Sequence, residues 1–273
     1  MSALSRYLRI LWALARYGMV RELAFRGNFL IKITVEVLWL GILLVFYRTV
    51  FTKTSVVADW SEGEYLFFVG CYFALEGLIE TFFLDNCNEF ADLVRSGDLD
   101  HFLLQPIDEQ FLISCRRIEW ATAPNILMGT FVMGLGLAQT TWQFDVVQMI
   151  EFMVLFGCGV AMAYSFLLFL TSTSVWFMRN QSLYEMWWLF TSLMRYPREI
   201  FGSGWAQPMG WFFTFIVPIL LVVYVPARVM VRAFDPKWGA WIVGSTLLAT
   251  VILLFASRKY FRYALRRYRS ASS

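Results

Sequence analysis

Residues 209–227, MGWFFTFIVPILLVVYVPA, are apolar almost throughout and carry two prolines, Pro218 and Pro226. How this stretch meets a membrane decides the fold. As a straight crossing it brings the number of spans to seven and leaves the two ends of the chain on opposite sides. As an element that dips in and returns, it leaves six crossings and both ends on one side. Charge chooses between them. Five of the 23 Lys and Arg residues lie in the first 28 positions (Arg6, Arg9, Arg16, Arg21 and Arg26), and six lie in the tail (Arg258, Lys259, Arg262, Arg266, Arg267 and Arg269). Cytoplasmic flanks collect such residues, so both ends read as cytoplasmic and 209–227 reads as re-entrant. Non-helical backbone at that depth needs shielding by protein or water, and two prolines suit a broken helix better than a smooth one.

Composition supports burial in lipid. The 273 residues are 59% apolar, 19% aromatic and only 16% charged, with mean hydropathy +0.59. Soluble domains carry roughly 45–50% apolar and about 25% charged residues. At about 20 residues per spanning helix, six spans leave no room for a nucleotide-binding domain, and no G-x-x-x-x-G-K-[ST] loop is present. The net charge of +3 is small, and the basic tail suits lipid headgroups better than nucleic acid beside so much apolar sequence. Cys71, Cys87, Cys115 and Cys158 form no metal-ligand spacing and read as reduced structural thiols. The N-terminus lacks the uninterrupted apolar region of a cleavable signal peptide.

Residues 4–21 place Leu4, Leu8, Leu11, Trp12, Ala15 and Met19 on one helical face and Arg6, Arg9, Arg16 and Arg21 on the other. That pattern predicts an amphipathic helix lying in the membrane interface over 1–28. Spans follow at about 29–51, 65–84, 120–138, 148–177, 181–194 and 238–256, with the re-entrant segment between the last two. The longest polar stretch, 85–119, falls on the cytoplasmic side.

Enzyme constellations are missing. The one histidine, His101, lies in the polar stretch, which excludes an intramembrane Ser/His dyad and histidine-rich iron sites. A His-x4-Asp pair fails because Pro106 stands where the Asp belongs. Within the spans, however, Glu36, Glu76 and Glu80 are costly in lipid, about 2.5–3.5 kcal/mol for a charged residue at a helix centre. Lys32 precedes Glu36 by four residues, the favourable order for a helical pair. Lys32, Glu36 and Glu80, with Glu76 one turn away, therefore read as a charged cluster between spans one and two, either a structural lock or the lining of a polar cavity.

The segment Leu93-Val-Arg-Ser-Gly-Asp-Leu-Asp-His-Phe-Leu-Leu-Gln-Pro106 is the most specific part of the chain. Gly97 ends a helix continuing from span two, and Asp98 is placed to cap a short new one. Leu99, Phe102 and Leu103 give that helix an apolar face, and Pro106 bounds it. Physics alone allows either a helix that presses into a cytoplasmic partner or a solvated hairpin tip.

The pattern Gly97, Leu99, Asp100, Leu103, Leu104, Pro106 resembles that of ABC-2-type transporter permeases, in the little-characterised branch related to daunorubicin-type multidrug export permeases. Tyr196-Pro197 with Ile200-Phe201, and Pro218 with Pro226-Ala227, resemble later motifs of that branch, so the likeness covers roughly residues 60–260. The resemblance implies an all-α integral membrane half-transporter: an interfacial helix (1–28), a six-span permease domain (29–257) with a cytoplasmic coupling loop (85–119), and a basic cytoplasmic tail (258–273). It implies a second permease, the same chain or a different one, and a cytoplasmic ATPase that holds ATP and Mg, with no cofactor on this chain. Arg95, Asp98, Leu99, Asp100, His101 and Phe102 would dock that ATPase; Tyr196, Pro197, Pro218 and Pro226 would shape the re-entrant segment. The setting implied is a bacterial inner membrane. Two other readings remain: a proton-coupled secondary transporter using Glu36, Glu76 and Glu80, and a non-transporting scaffold. Neither substrate nor path residues are legible.

Overall fold

The computed structural model describes residues 3–177, 181–202, 204–232 and 236–268. These are helical, with one isolated bridge between Val57 and Trp60. The order is α1 (Ala3–Ala24), α2 (Arg26–Phe51), α3 (Glu62–Ile79), a π turn (Glu80–Leu84), α4 (Asp85–Ser96), α5 (Leu99–Leu103), α6 (Glu109–Cys115), α7 (Ala123–Ala138) and α8 (Val146–Phe177). Then come α9 (Gln181–Met194), two 3₁₀ turns (Arg198–Phe201 and Gly204–Ala206), α10 (Gln207–Trp211), a second π turn (Phe212–Ile216), α11 (Ile219–Val231) and α12 (Pro236–Arg267). Among the described residues, four helices are long and apolar enough to cross a membrane: α2, the continuous 35-residue Glu62–Ser96, α8, and Trp241–Arg267 of α12. The bent pair Gly204–Ile216 and Ile219–Val231 makes a fifth if counted as one span. Of the remaining expected spans, α7 is a 16-residue helix and α9 a 14-residue one.

α3 is the centre of the bundle, with Phe67, Phe68, Val69, Cys71, Tyr72, Leu75 and Ile79 at most 2% exposed. Lipid offers no hydrophobic drive between helices, so close backbone packing must hold them. Glycines seven residues apart supply it. Gly63 and Gly70 of α3 face Gly136 and Gly129 of α7, Gly77 faces Asn125 and Ile126, and a Cβ on Gly129 would stand 2.4 Å from the Ala74 backbone nitrogen. On Gly70 it would stand 2.5 Å from that of Met133.

α8 packs along α11 and α12. The chain bends by 82° between the second π turn and α11, at Val217 and Pro218, where the Ile219 amide turns back to the Val217 carbonyl at 2.6 Å. Pro226 corrects the sequence expectation of a second break, because it sits inside an intact α11. It cannot donate to the Val222 carbonyl four residues back, and that oxygen is faced instead by Gly159 of α8, whose absent Cβ would lie 2.4 Å from it. A Cα–H contact occupies that direction.

The polar stretch 85–119 is largely helical. Its first twelve residues extend α3 as α4, burying Asn86, Cys87, Phe90, Ala91 and Val94 on one face. A second apolar cluster forms there from Phe90, Val94, Leu99, Ile113, Leu168, Val175, Phe261 and Ala264. The basic tail also continues α12 as helix to Arg267, with Phe261 and Ala264 buried; Arg269 lies outside the described residues.

α1 lies across this end. The Tyr7 ring meets Phe111 edge-on at 4.9 Å, the Trp120 indole donates to the Ala15 carbonyl at 2.9 Å, and Gly18 lets the Ile118 carbonyl approach. Leu8, Trp12 and Met19 face outward, Trp12 at 74% exposure.

Candidate functional site

Three polar constructions stand out. The first surrounds α5. Gly97 adopts φ 82°, a conformation that glycine takes without a Cβ penalty, and ends α4. The Asp98 carboxylate accepts the Ser96 hydroxyl at 2.7 Å and makes no cap bond to α5, which differs from the capping role expected of it. Leu99 is fully buried, while the Arg116 guanidinium covers the half-buried Phe102 ring at 4.9 Å. Arg116 and Arg117 both pair with Glu89, and Asn86 clamps the Arg117 backbone in both directions at 2.7 and 2.8 Å. Asp92, Arg95, Asp98 and His101 are exposed, Asp100 is intermediate, and Leu104 is 83% exposed. A shallow polar pocket of about 590 Å³ opens between Glu89, Asp92, Arg95, Asp98, Arg116 and Arg117. Sequence reasoning missed Asp108, which caps α6 through the Phe111 amide at 3.2 Å, receives Arg258 at 2.8 Å and bonds Tyr7 through its own amide at 3.1 Å.

The second construction lies between α2, the first π turn and residues 119–122. The Lys32 ammonium stands 2.5 Å from Glu119, and Arg21 of α1 reaches the other oxygen of that carboxylate at 3.2 Å. The Glu119 amide donates to the Thr81 carbonyl of the π turn at 3.0 Å. The expected partner of Lys32, Glu36, is not ion-paired with it among the described residues. Lys32, Glu36 and Glu80 nonetheless line one cavity of about 310 Å³ with Asp85 and Glu119. Glu76 lies one turn further along α3, beside Tyr72, whose hydroxyl receives Arg195 at 3.2 Å. Arg195 also lies over the rings of Tyr72 and Trp39, at 5.2 and 6.0 Å. At the edge of this construction, burial and then the adjacent Glu119 hold the Glu22 carboxyl above its ordinary range.

The third is at the opposite end. Glu199 accepts the Trp60 indole at 3.2 Å and the Tyr224 hydroxyl at 2.7 Å, and pairs with Arg228 at 3.3 Å. Arg232 grips Glu64 with two bonds of 2.8 Å and reaches the Asp59 carbonyl. Tyr196 is exposed and Pro197 opens the 3₁₀ turn that carries Glu199. Pro218 forms the bend and Pro226 lies within α11, so the four residues expected to shape this segment act at three separate places. None of the pairs made by Glu199, Arg228, Arg232 and Glu64 was read from sequence; the run Arg195–Glu199 was the one visible signal.

A bundle of apolar helices packed through glycines, with charged groups inside and polar constructions at both ends, is a multi-pass membrane protein. The chain belongs to the ABC-2 family of transporter proteins, whose family model matches residues 37–272, from within α2 almost to the C-terminus. No curated protein matches it, and no solved structure does. Membership makes the chain the membrane component of an ABC transporter, a permease with no nucleotide-binding domain of its own.

Proposed function

We propose that the chain is one permease of an ATP-driven exporter in a bacterial inner membrane, working in a pair with separate cytoplasmic ATPase subunits that hold ATP and Mg. The observation that carries this reading is α5. A helix of barely more than one turn is fixed by buried Leu99 at the end of a 35-residue helix, and among the described residues no element covers its rim of Arg95, Asp98, His101 and Leu104. In this reading ATP-driven movement of the ATPase pair displaces α5, and the membrane part follows as a two-state element.

Two relations support six crossings with a re-entrant segment. Arg6, near one end of the chain, bonds the Pro106 carbonyl at 2.6 Å, and Arg258, near the other, pairs with Asp108, which brings α1 and the late part of α12 to one end of the bundle. Glu199 before the bent pair and Arg232 after it both meet residues of the α2–α3 connection, so that segment starts and finishes at the other end. The α5 end is then cytoplasmic and the Trp60 end external.

A mild-detergent pull-down of the tagged full chain tests the proposal. An ATPase subunit should co-purify and be lost when Asp98 and Asp100 are both changed to Lys. A second, different permease in the eluate would make the pair a heterodimer. Recovery of the chain without any ATPase would overturn the exporter reading and move attention to proton coupling through Glu36, Glu76 and Glu80.

A further inference from the structure

We propose that Glu80 carries a proton and shares it with Asn125, forming a neutral acid–amide pair that fastens the first π turn to the start of α7. The inference goes beyond the exporter reading and does not rest on it, because the pair lies within this chain and needs neither an ATPase nor a substrate.

Asn125 lacks one hydrogen bond. Its side chain is 3% exposed, and its Oδ1 has no donor among the described residues. Buried acceptors are expected to be satisfied. The hydroxyls nearby are committed elsewhere. Thr122 donates to the Glu119 carbonyl at 2.9 Å, which leaves the Thr81 hydroxyl to donate to Thr122 at 3.1 Å. The α3 backbone closes another side, since a Cβ on Gly77 would stand 2.9 Å from the Asn125 Cβ. The neighbouring cavity of about 310 Å³ is lined by Glu80 but not by Asn125, so water in it does not reach the orphan oxygen.

Glu80 is the polar group in contact that remains. Among the described residues its sole donor is Asn125 Nδ2, at 3.4 Å, whereas a charge-assisted bond to a carboxylate draws in to about 2.7–2.9 Å. As an anion Glu80 has no cation to meet. Lys32 and Arg21 are both held by Glu119, and Arg195 bonds Tyr72. The other groups around it are acidic: Glu36 from α2, Asp85 at the start of α4 and Glu119 ahead of α7, with Glu76 one turn back on α3. A neutral Glu80 removes every one of these conflicts. Its O–H donates to Asn125 Oδ1 while Nδ2 donates back to the other carboxyl oxygen, two bonds in one ring. That ring joins the first residue of the π turn to the first turn of α7, beside the Thr81–Thr122 bond and the Glu119 amide on the Thr81 carbonyl. π turns inside α-helices recur at functional sites. Loss of the proton sets a carboxylate against Oδ1 and loosens α7 from the junction where α3 becomes α4.

Infrared difference spectroscopy on the full chain in lipid nanodiscs tests the pair. At neutral pH, wild type minus Glu80→Gln should show the C=O band of one protonated carboxyl group, and isotope labelling of glutamate should shift that band. Asn125→Leu should move it to higher frequency, as expected of a carboxyl that has lost its acceptor. Glu80→Gln should itself fold and keep the ring, because an amide donates and accepts as the neutral acid does. In hydrogen exchange, the amides of Ala123 and Asn125 should quicken on alkaline titration more in wild type than in Glu80→Gln. Absence of the carboxyl band, a band unmoved in folded Asn125→Leu, or identical exchange profiles overturns the proposal. Failure of Glu80→Gln to fold overturns it too, since that replacement is neutral and nearly the same shape. If Asn125→Leu does not fold, the Glu80→Gln band and the exchange profiles decide. The band in a chain that recovers no ATPase leaves the proton pair standing and removes the exporter reading; an ATPase without the band does the reverse.

Discussion

The Lys32 ammonium lies 2.5 Å from the Glu119 carboxylate, 87 residues away in sequence, and Arg21 shares the same acceptor. One carboxylate thus fastens both α1 and the start of α2 to the π turn. Glu119→Gln should cost about 1–3 kcal/mol, below the 3–5 typical of a fully buried pair because Lys32 is 43% exposed. Limited proteolysis should then cut between α1 and α2 first. The exchange Lys32→Glu with Glu119→Lys should restore part of the loss in thermal unfolding.

The glycine seam between α3 and α7 predicts sharp positional sensitivity. Gly129→Leu or Gly70→Leu forces two backbones apart and should cost several kcal/mol, at or beyond the about 1–3 of ordinary overpacking, read as loss of monodisperse protein in size-exclusion chromatography. Gly134→Leu is the control, since nothing lies within 4 Å of its Cβ direction, and should be tolerated.

Long apolar runs were legible in the sequence because lipid demands them, and so were Gly97 as a helix stop and the two basic ends. The glycine seam was visible in principle as a spacing of seven at Gly63, Gly70 and Gly77, but glycines weaken a helix call until the partner backbone is known. α4 was legible as the helix that continues from span two to Gly97, but its buried face was not, because its polar residues dominate the average although Phe90, Ala91 and Val94 keep a helical period. Glu119 as the partner of Lys32 is a tertiary fact, and the local rule pointed to Glu36. Pro226 misled for a related reason: local chemistry says break, and Gly159 on another helix removes the need.

At the opposite end, Glu199 is the acceptor for three groups. Glu199→Ala leaves Trp60, Tyr224 and Arg228 without it and should destabilise by about 2–3 kcal/mol, whereas Glu199→Gln, which keeps an acceptor oxygen, should lose less. Chemical denaturation followed by tryptophan fluorescence would rank the two variants; equal losses would contradict a hydrogen-bonding role.

Glu22 gives α1 a pH dependence. Its folded-state pKa is raised from 4.5, chiefly by burial and then by Glu119, so the folded form holds the proton more tightly than the unfolded one. The stabilisation is complete below about 4.5 and is lost as pH rises through the higher folded value. Hydrogen exchange of the α1 amides should therefore quicken across that rise, beyond the intrinsic pH dependence of exchange, and Glu22→Gln should flatten the excess.

Leu99 and Leu104 separate support from contact. Leu99→Ala opens a cavity under α5 and should cost about 2–5 kcal/mol. Leu104→Ala, at an 83% exposed position, should leave thermal stability unchanged and weaken ATPase recovery in the pull-down.

The unbroken helix from Glu62 to Ser96 is about 52 Å long at 1.5 Å per residue. It is seated beside α5 at one end and fastened through Glu64 to Arg232 at the other. A member of that kind acts as a lever. A tilt of about 5° about its middle would carry each tip roughly 2 Å in opposite directions, with α7 moving along with the half from Gly63 to Gly77 that it grips. Load applied at Ser96 therefore reaches Arg232 as displacement, with no relay of side chains required between them.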